Sequence, residues 1–178
     1  MKINSVHVFV AFGTLVASSL LFSCSSVSLP KGASAVSPFD KDKYLGKWYE
    51  IARLDFKYEK NLDNVTANYT LKDDGSIRVD NRGYDYTKNE WKESIGKAKF
   101  VEEPTVGRLK VSFFGPFYAA YNVIAIDKDY QNALVVGNST KYMWILSRTK
   151  TIPDAVKADY LQQAKAIGVD IDALVYNK

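Results

Sequence analysis

Between residues 47 and 148 the chain alternates eight times between short runs rich in Val, Ile, Tyr and Thr and clusters of turn-forming residues. The runs are 47–55, 64–71, 76–84, 91–101, 106–113, 118–126, 132–138 and 142–148. The links between them include Lys72-Asp73-Asp74-Gly75, Tyr86-Thr87-Lys88-Asn89, Glu102-Glu103-Pro104-Thr105 and Asp127-Lys128-Asp129. Links this short join neighbouring strands antiparallel, since a parallel crossover needs a dozen residues or more. Eight strands in series leave a sandwich or a barrel, and their even spacing favours the barrel. The predicted fold is therefore all-β, an eight-stranded antiparallel up-and-down barrel. The period then changes: Val156, Tyr160, Ala164 and Ile167 recur at helical intervals, with Pro153 at the entrance and Gly168 at the exit. This predicts one C-terminal helix over 154–167, its apolar stripe packed on the outside of the barrel.

The amino terminus is of another kind. Lys2 supplies a positive charge, and residues 6–22 are apolar apart from His7, Gly13, Thr14, Ser18 and Ser19. These are the charged and apolar regions of a secretory signal. The stretch is shorter than the roughly 20 residues a spanning helix needs. Leu21-Phe22-Ser23-Cys24 closes it and resembles a bacterial lipoprotein box, whose cysteine is lipidated on sulfur and, after cleavage before it, on its amine. The expected organisation is a signal peptide over 1–23, a lipidated flexible tether over 24–38 rich in Ser, Ala, Val, Gly and Pro, and a barrel domain over 39–178. One acyl chain holds a protein to a bilayer only marginally, whereas two or three hold it stably.

The scarce residues exclude most chemistry. The only histidine is His7, in the leader, and the only cysteine is Cys24. A domain with neither has no Ser-His-Asp triad, no Cys–His pair, no His-ligated zinc or haem and no internal disulfide. Asp73, Asp74, Glu102, Glu103, Asp127 and Asp129 all fall in predicted turns, where solvated side chains are expected. No catalytic residue, metal or cofactor is expected. The net charge of +4, with no basic run, carries no nucleic-acid footprint.

Three blocks carry a family resemblance. Tyr44-Leu45-Gly46-Lys47-Trp48-Tyr49-Glu50-Ile51-Ala52-Arg53 opens the first predicted strand. Val111-Ser112-Phe113-Phe114-Gly115-Pro116-Phe117-Tyr118 joins the fifth to the sixth, and Trp144-Ile145-Leu146-Ser147-Arg148 closes the last. With the Asp127-Lys128-Asp129-Tyr130 turn, in this order, they resemble the lipocalins, and in detail the apolipoprotein-D-like lipocalins of bacterial outer membranes. Gly-x-Trp alone is a weak signal; the whole set is specific. The chain departs from animal members in having no disulfide. The resemblance implies that Gly46, Trp48 and Arg148 form the barrel floor, with Arg148 lying across the Trp48 ring as a cation and hydrogen-bond donor.

If Trp48 and Arg148 both point inward, strand alternation assigns the rest. The candidate ligand contacts are Ala52, Ala67, Tyr69, Ile77, Val79, Val111, Phe113, Tyr121, Val123, Ala125, Leu134, Val136, Tyr142 and Trp144, with Tyr118 turned in by a bulge. Glu50, Leu54, Val65, Leu109 and Leu146 share the inner face, and Ile124 and Ile126 face out. An inner face lined by small and aromatic side chains suits a long acyl chain with its polar head at the mouth. Burying about ten methylenes is worth about 8 kcal/mol before binding entropy is subtracted.

The leading expectation is a lipid-anchored protein that binds, stores or transports fatty acids or lysophospholipids at the outer membrane, on its periplasmic side. Its partners are then a lipid ligand and the membrane that holds its anchor. A homodimer is left open by the sequence. Two alternatives stand beside it: a lipid-modifying enzyme on the same barrel, and a filled barrel acting as an envelope scaffold.

Overall fold

The computed structural model describes residues 27–177, so the leader and Cys24 lie outside the described residues. The strands are β1 (Gly46–Leu54), β2 (Leu62–Leu71), β3 (Ile77–Asp85), β4 (Glu90–Phe100), β5 (Arg108–Phe114), β6 (Phe117–Ile126), β7 (Asn132–Val136) and β8 (Met143–Ser147). Each pairs antiparallel with the next, and β1 pairs with both β8 and β2. The sheet thus closes on itself as a barrel of eight strands. Tight turns make this meander possible. Between β2 and β3, Lys72 and Ser76 pair through their backbones while Gly75 takes a φ of +74°, a left-handed conformation that favours glycine.

Two short elements carry no readable period. Helix α1 (Lys41–Tyr44), capped by the Asp40 carboxylate, crosses the end of the barrel where β1 begins. A ninth strand, β9 (Leu174–Tyr176), pairs with the upper half of β1 after the long helix α2 (Asp154–Ala166). Helix α2 packs Val156, Tyr160 and Ala164 on the barrel exterior, and the Tyr160 hydroxyl donates to the Asn132 carbonyl of β7 at 2.8 Å.

The apolar side chains accordingly form two clusters. One lies inside the barrel and includes Trp48, Tyr69, Val79, Val123, Val135 and Leu146. The other lies between the barrel wall and α2 and includes Ala52, Leu54, Leu134, Val136, Met143 and Ile145, with Ala125 packed against it. This corrects the expected inward direction of Ala52, Leu54, Ala125, Leu134 and Val136, all of which face the helix. Bulges account for Ala52, Leu54 and Ala125, whereas Leu134 and Val136 lie on β7, which is regular but buried on both faces, so its phase is unmarked. One bulge shifts the β1–β8 register between Glu50 and Ala52, and one shifts β6–β7 between Val123 and Ala125. An extra residue in one strand puts two consecutive side chains on one face and inverts every later assignment. Ile126 therefore turns into the inner cluster, opposite to expectation. Tyr118 is also corrected: it alternates with Ala119, the partner of Val111, and lies outside with the Lys110 ammonium 5.4 Å from its ring centre.

The segment 27–38, read from composition as flexible tether, lies against the wall. Arg108 donates to the Val27 carbonyl, Asn122 to the Ser28 carbonyl, and Val36 exchanges backbone bonds with Val123 and Gly107. These four bonds to wall residues hold it there, a pattern that composition does not record.

Candidate functional site

At the closed end, the Arg148 guanidinium carbon lies 3.8 Å from the Trp48 ring centre. Its nitrogens donate to the carbonyls of Lys43, Leu45, Lys47 and Tyr130 at 2.6–3.2 Å. Trp48 is fully buried, and its indole N–H donates to the Tyr44 carbonyl at 2.8 Å, tying the floor to α1. Gly46, at φ +89°, passes beneath the guanidinium, where a Cβ would sit 3.5 Å from Nη1.

Above the floor, the inner face carries Ala67, Tyr69, Ile77, Val79, Val111, Phe113, Tyr121, Val123 and Trp144, all within or packed against the inner cluster. The Phe113 ring packs against Gly96, where a Cβ would approach two of its carbons to 2.8 Å. Three phenols cross the barrel in a chain, with Tyr44 2.6 Å and Tyr69 2.8 Å from the Tyr121 hydroxyl. Burial raises the pKa of all three above the ordinary phenol value, so they stay neutral donors and acceptors.

The principal charged group of the inner face toward the mouth is one that strand alternation missed. Because of the β1 bulge, Glu50 and Arg53 both face inward, at 5% and 1% exposure. Glu50 accepts from Arg53 Nη1 at 2.8 Å and from Asn177 Nδ2 at 2.7 Å. Arg53 Nη2 donates to the carbonyls of Glu59 and Leu62 at 2.8 and 3.0 Å, and so holds the 55–61 loop over the barrel mouth. Trp144 Nε1 donates to Glu59 Oε2 at 2.9 Å, while Arg53 Nε lies 3.9 Å from the same oxygen. The sequence carried no signal for Arg53. A carboxylate and a guanidinium three residues apart share one face of a strand only across a bulge, and the bulge falls in an apolar stretch that does not mark it. Glu59 sits in a loop and carried no signal either.

The loop also brings Phe56 edge-on to Tyr142 and Trp144, with ring centres 5.7 Å apart in both pairs. Tyr58 packs on Phe114, 5.9 Å between centres, and both rings are exposed together with Phe117. The mouth is thus rimmed with solvent-facing aromatics, whereas the opposite end is sealed by α1 and Arg148.

Burial is the main cause that raises the Glu59 carboxyl to about 8, with the Glu50 carboxylate adding to it. Burial likewise raises Glu50, against the pull of Arg53. A carboxyl raised by folding binds protons more tightly in the native state. Its contribution is therefore fully present below the unfolded value of about 4.3 and is lost as pH rises toward 8. Urea midpoints are expected to fall from pH 4.5 to pH 8, and Glu59→Gln is expected to flatten that decline. A midpoint that rises across this window contradicts the assignment.

The family model for the lipocalin-like domain matches residues 39–178. The chain is 50% identical over 157 residues to the outer membrane lipoprotein Blc of Escherichia coli (strain K12), covering 88% of this chain and 89% of that one. It is 49% identical over 164 residues to the protein of the same name from Citrobacter freundii, covering 92% and 93%. Among solved structures, insecticyanin from the tobacco hornworm Manduca sexta superposes with a TM-score of 0.67 at 19% identity, over 85% of this chain and 87% of that one, a likeness of fold.

Proposed function

This chain belongs to the lipocalin family, and from that premise we propose that it is a lipid-anchored outer-membrane protein that binds and stores or carries fatty acids or lysophospholipids on the periplasmic side. The observation that carries this reading is the polarity gradient of the inner face. Apolar and aromatic side chains line the barrel, and the Arg148 guanidinium is committed to backbone carbonyls at the closed end. Glu50, Arg53 and Glu59 gather at the end rimmed by Tyr58, Phe114 and Phe117. An amphiphile whose tail runs toward Tyr69 and Val79 keeps its head beside Arg53 and Trp144. Such sites combine a mostly apolar lining with a few polar groups that set orientation. The exposed aromatic rim suits exchange with a bilayer, because aromatic rings favour the region between headgroups and acyl chains.

The ligand reading is tested by native mass spectrometry of protein purified without added lipid. A co-purified acyl species supports it. A bare mass, together with no uptake of a fluorescent fatty acid after delipidation, overturns it.

The anchor is assigned to Cys24, the chain's only thiol and the last residue of the lipoprotein box. Cys24→Ser is expected to release the protein from the membrane fraction or leave it unprocessed, because no other side chain accepts the diacylglyceryl group. Unchanged fractionation of that variant, with cleavage still before residue 24, contradicts the assignment.

A further inference from the structure

We propose that Trp144 Nε1–H and Arg53 Nε–H form a two-donor cradle for the anionic head of an amphiphile, and that Glu59 occupies this cradle as a displaceable latch on the 55–61 loop. The inference rests on the ligand-binding reading above and adds the chemistry of the head.

The geometry begins with one oxygen. Glu59 Oε2 accepts from the Trp144 indole at 2.9 Å and faces Arg53 Nε at 3.9 Å, too far for a hydrogen bond. Among the described residues, that buried Nε–H has no acceptor. Buried donors are rarely left in this state. The other guanidinium nitrogens are committed to Glu50 and to the Glu59 and Leu62 carbonyls, so Nε is the donor left for an incoming group. The two donors belong to adjacent barrel strands, β1 and β8, paired at Arg53 and Trp144. Their acceptor is carried by a loop. Donors on a rigid wall and an acceptor on a connecting loop are the arrangement in which the acceptor can be exchanged.

The charges favour the exchange. The groups facing Glu59 are Glu50 and Arg53 on β1, Asp55 at the root of the loop, and the Tyr69 phenol on β2; Trp144 on β8 brings a neutral donor. Burial and Glu50 raise the Glu59 carboxyl to about 8, so near neutral pH it holds its proton and is a weak acceptor. A fully ionised head accepts more strongly from the same two donors, since charge-assisted hydrogen bonds are roughly twice as strong as neutral ones. An uncharged alcohol gains no such advantage. Displaced into water, Glu59 regains an ordinary carboxylate pKa of about 4.3 and gives up its proton. The exchange therefore releases one proton from Glu59 for each anion bound, and no covalent bond changes elsewhere.

The test is calorimetric titration of the Cys24→Ser chain at pH 7, in two buffers of different ionisation enthalpy, with decyl sulfate and with decanol as probes. Decyl sulfate carries no titratable proton in this range, so any proton released comes from the protein. The expected result is release of about one proton per decyl sulfate bound, none with decanol, and decanol at least about tenfold weaker. Adding Glu59→Gln is expected to abolish the release while decyl sulfate still binds. Adding Trp144→Phe, which keeps the ring against Phe56, is expected to weaken decyl sulfate at least about fivefold and decanol less than about twofold. Equal affinity for the two probes overturns the cradle, and proton release that persists in Glu59→Gln overturns the latch. If neither probe binds the parent chain, the ligand-binding reading fails and this inference fails with it; tight, equal binding of both leaves that reading standing and removes only the cradle.

Discussion

Replacing Arg53 with Met is expected to cost about 3–5 kcal/mol of folding stability, the range for breaking a buried ion pair by removing one partner. The side chain is 1% exposed. Its loss leaves the Glu50 carboxylate inside the barrel with only the Asn177 amide, at 2.7 Å, as a hydrogen-bond donor. It also strips the Glu59 and Leu62 carbonyls of their guanidinium donor and frees the 55–61 loop. Against a typical domain stability of roughly 5–15 kcal/mol, this is a large fraction. Two controls identify the cause. Adding Glu50→Gln is expected to recover much of the loss, because a neutral amide needs no counter-charge. The deficit is also expected to shrink as pH falls, since a buried, unpaired Glu50 takes up a proton and its penalty disappears. Urea unfolding of the two single variants and the double variant, at pH 5 and pH 8, reads both effects. A double variant no more stable than Arg53→Met alone assigns the loss to packing and the loop carbonyls instead of the stranded charge.

That Arg53 mattered was not legible from strand alternation, and the reason is physical. The eight barrel strands were readable because a barrel wall facing core on one side and water on the other imposes a period of two. The rule holds for β2 and β3, where Ala67, Tyr69, Ile77 and Val79 all face in. It fails where α2 covers the wall and makes both faces apolar. In β7 every residue from Asn132 to Val136 is buried, so nothing in the pattern separates Ala133 and Val135, which face in, from Leu134 and Val136, which lie under the helix. The bulges near Ile51 and Ile124 fall where β1 and β6 run beneath that layer, and there an apolar residue is at home on either face. A phase change consequently left no mark. The two ends of the site behaved differently. Trp48 and Arg148 are strand residues joined by the closure of the barrel, whereas Glu59 enters from a loop whose path depends on the guanidinium that captures its backbone.

Arg148→Ala is expected to lower stability by about 3 kcal/mol and to leave ligand affinity within about threefold. The guanidinium serves four carbonyls, those of Lys43, Leu45, Lys47 and Tyr130, and lies on the Trp48 ring. Hydrogen bonds to a charged group contribute about 1.5–3 kcal/mol each, and a desolvated cation–π contact about 2 kcal/mol. The sum is not reached, because the Lys43 and Lys47 carbonyls border solvent and accept water once the side chain is gone. The loss that remains comes from uncovering Trp48 and loosening α1, which Arg148 ties to the ends of β1 and β8. Arg148→Lys keeps the charge but replaces a planar fork with a single ammonium that cannot span four carbonyls, so it is expected to recover less than half of the deficit. Ligand affinity is insulated by position: the guanidinium seals the closed end, while the head-group donors Arg53 and Trp144 lie toward the mouth. Equilibrium unfolding paired with fatty-acid titration separates the two roles. A stability loss under about 1 kcal/mol with a collapse of affinity would move Arg148 out of the floor and into the ligand site. The opposite pattern, an unstable barrel that still binds at its open end, follows from a guanidinium whose bonds all run to backbone at the sealed end.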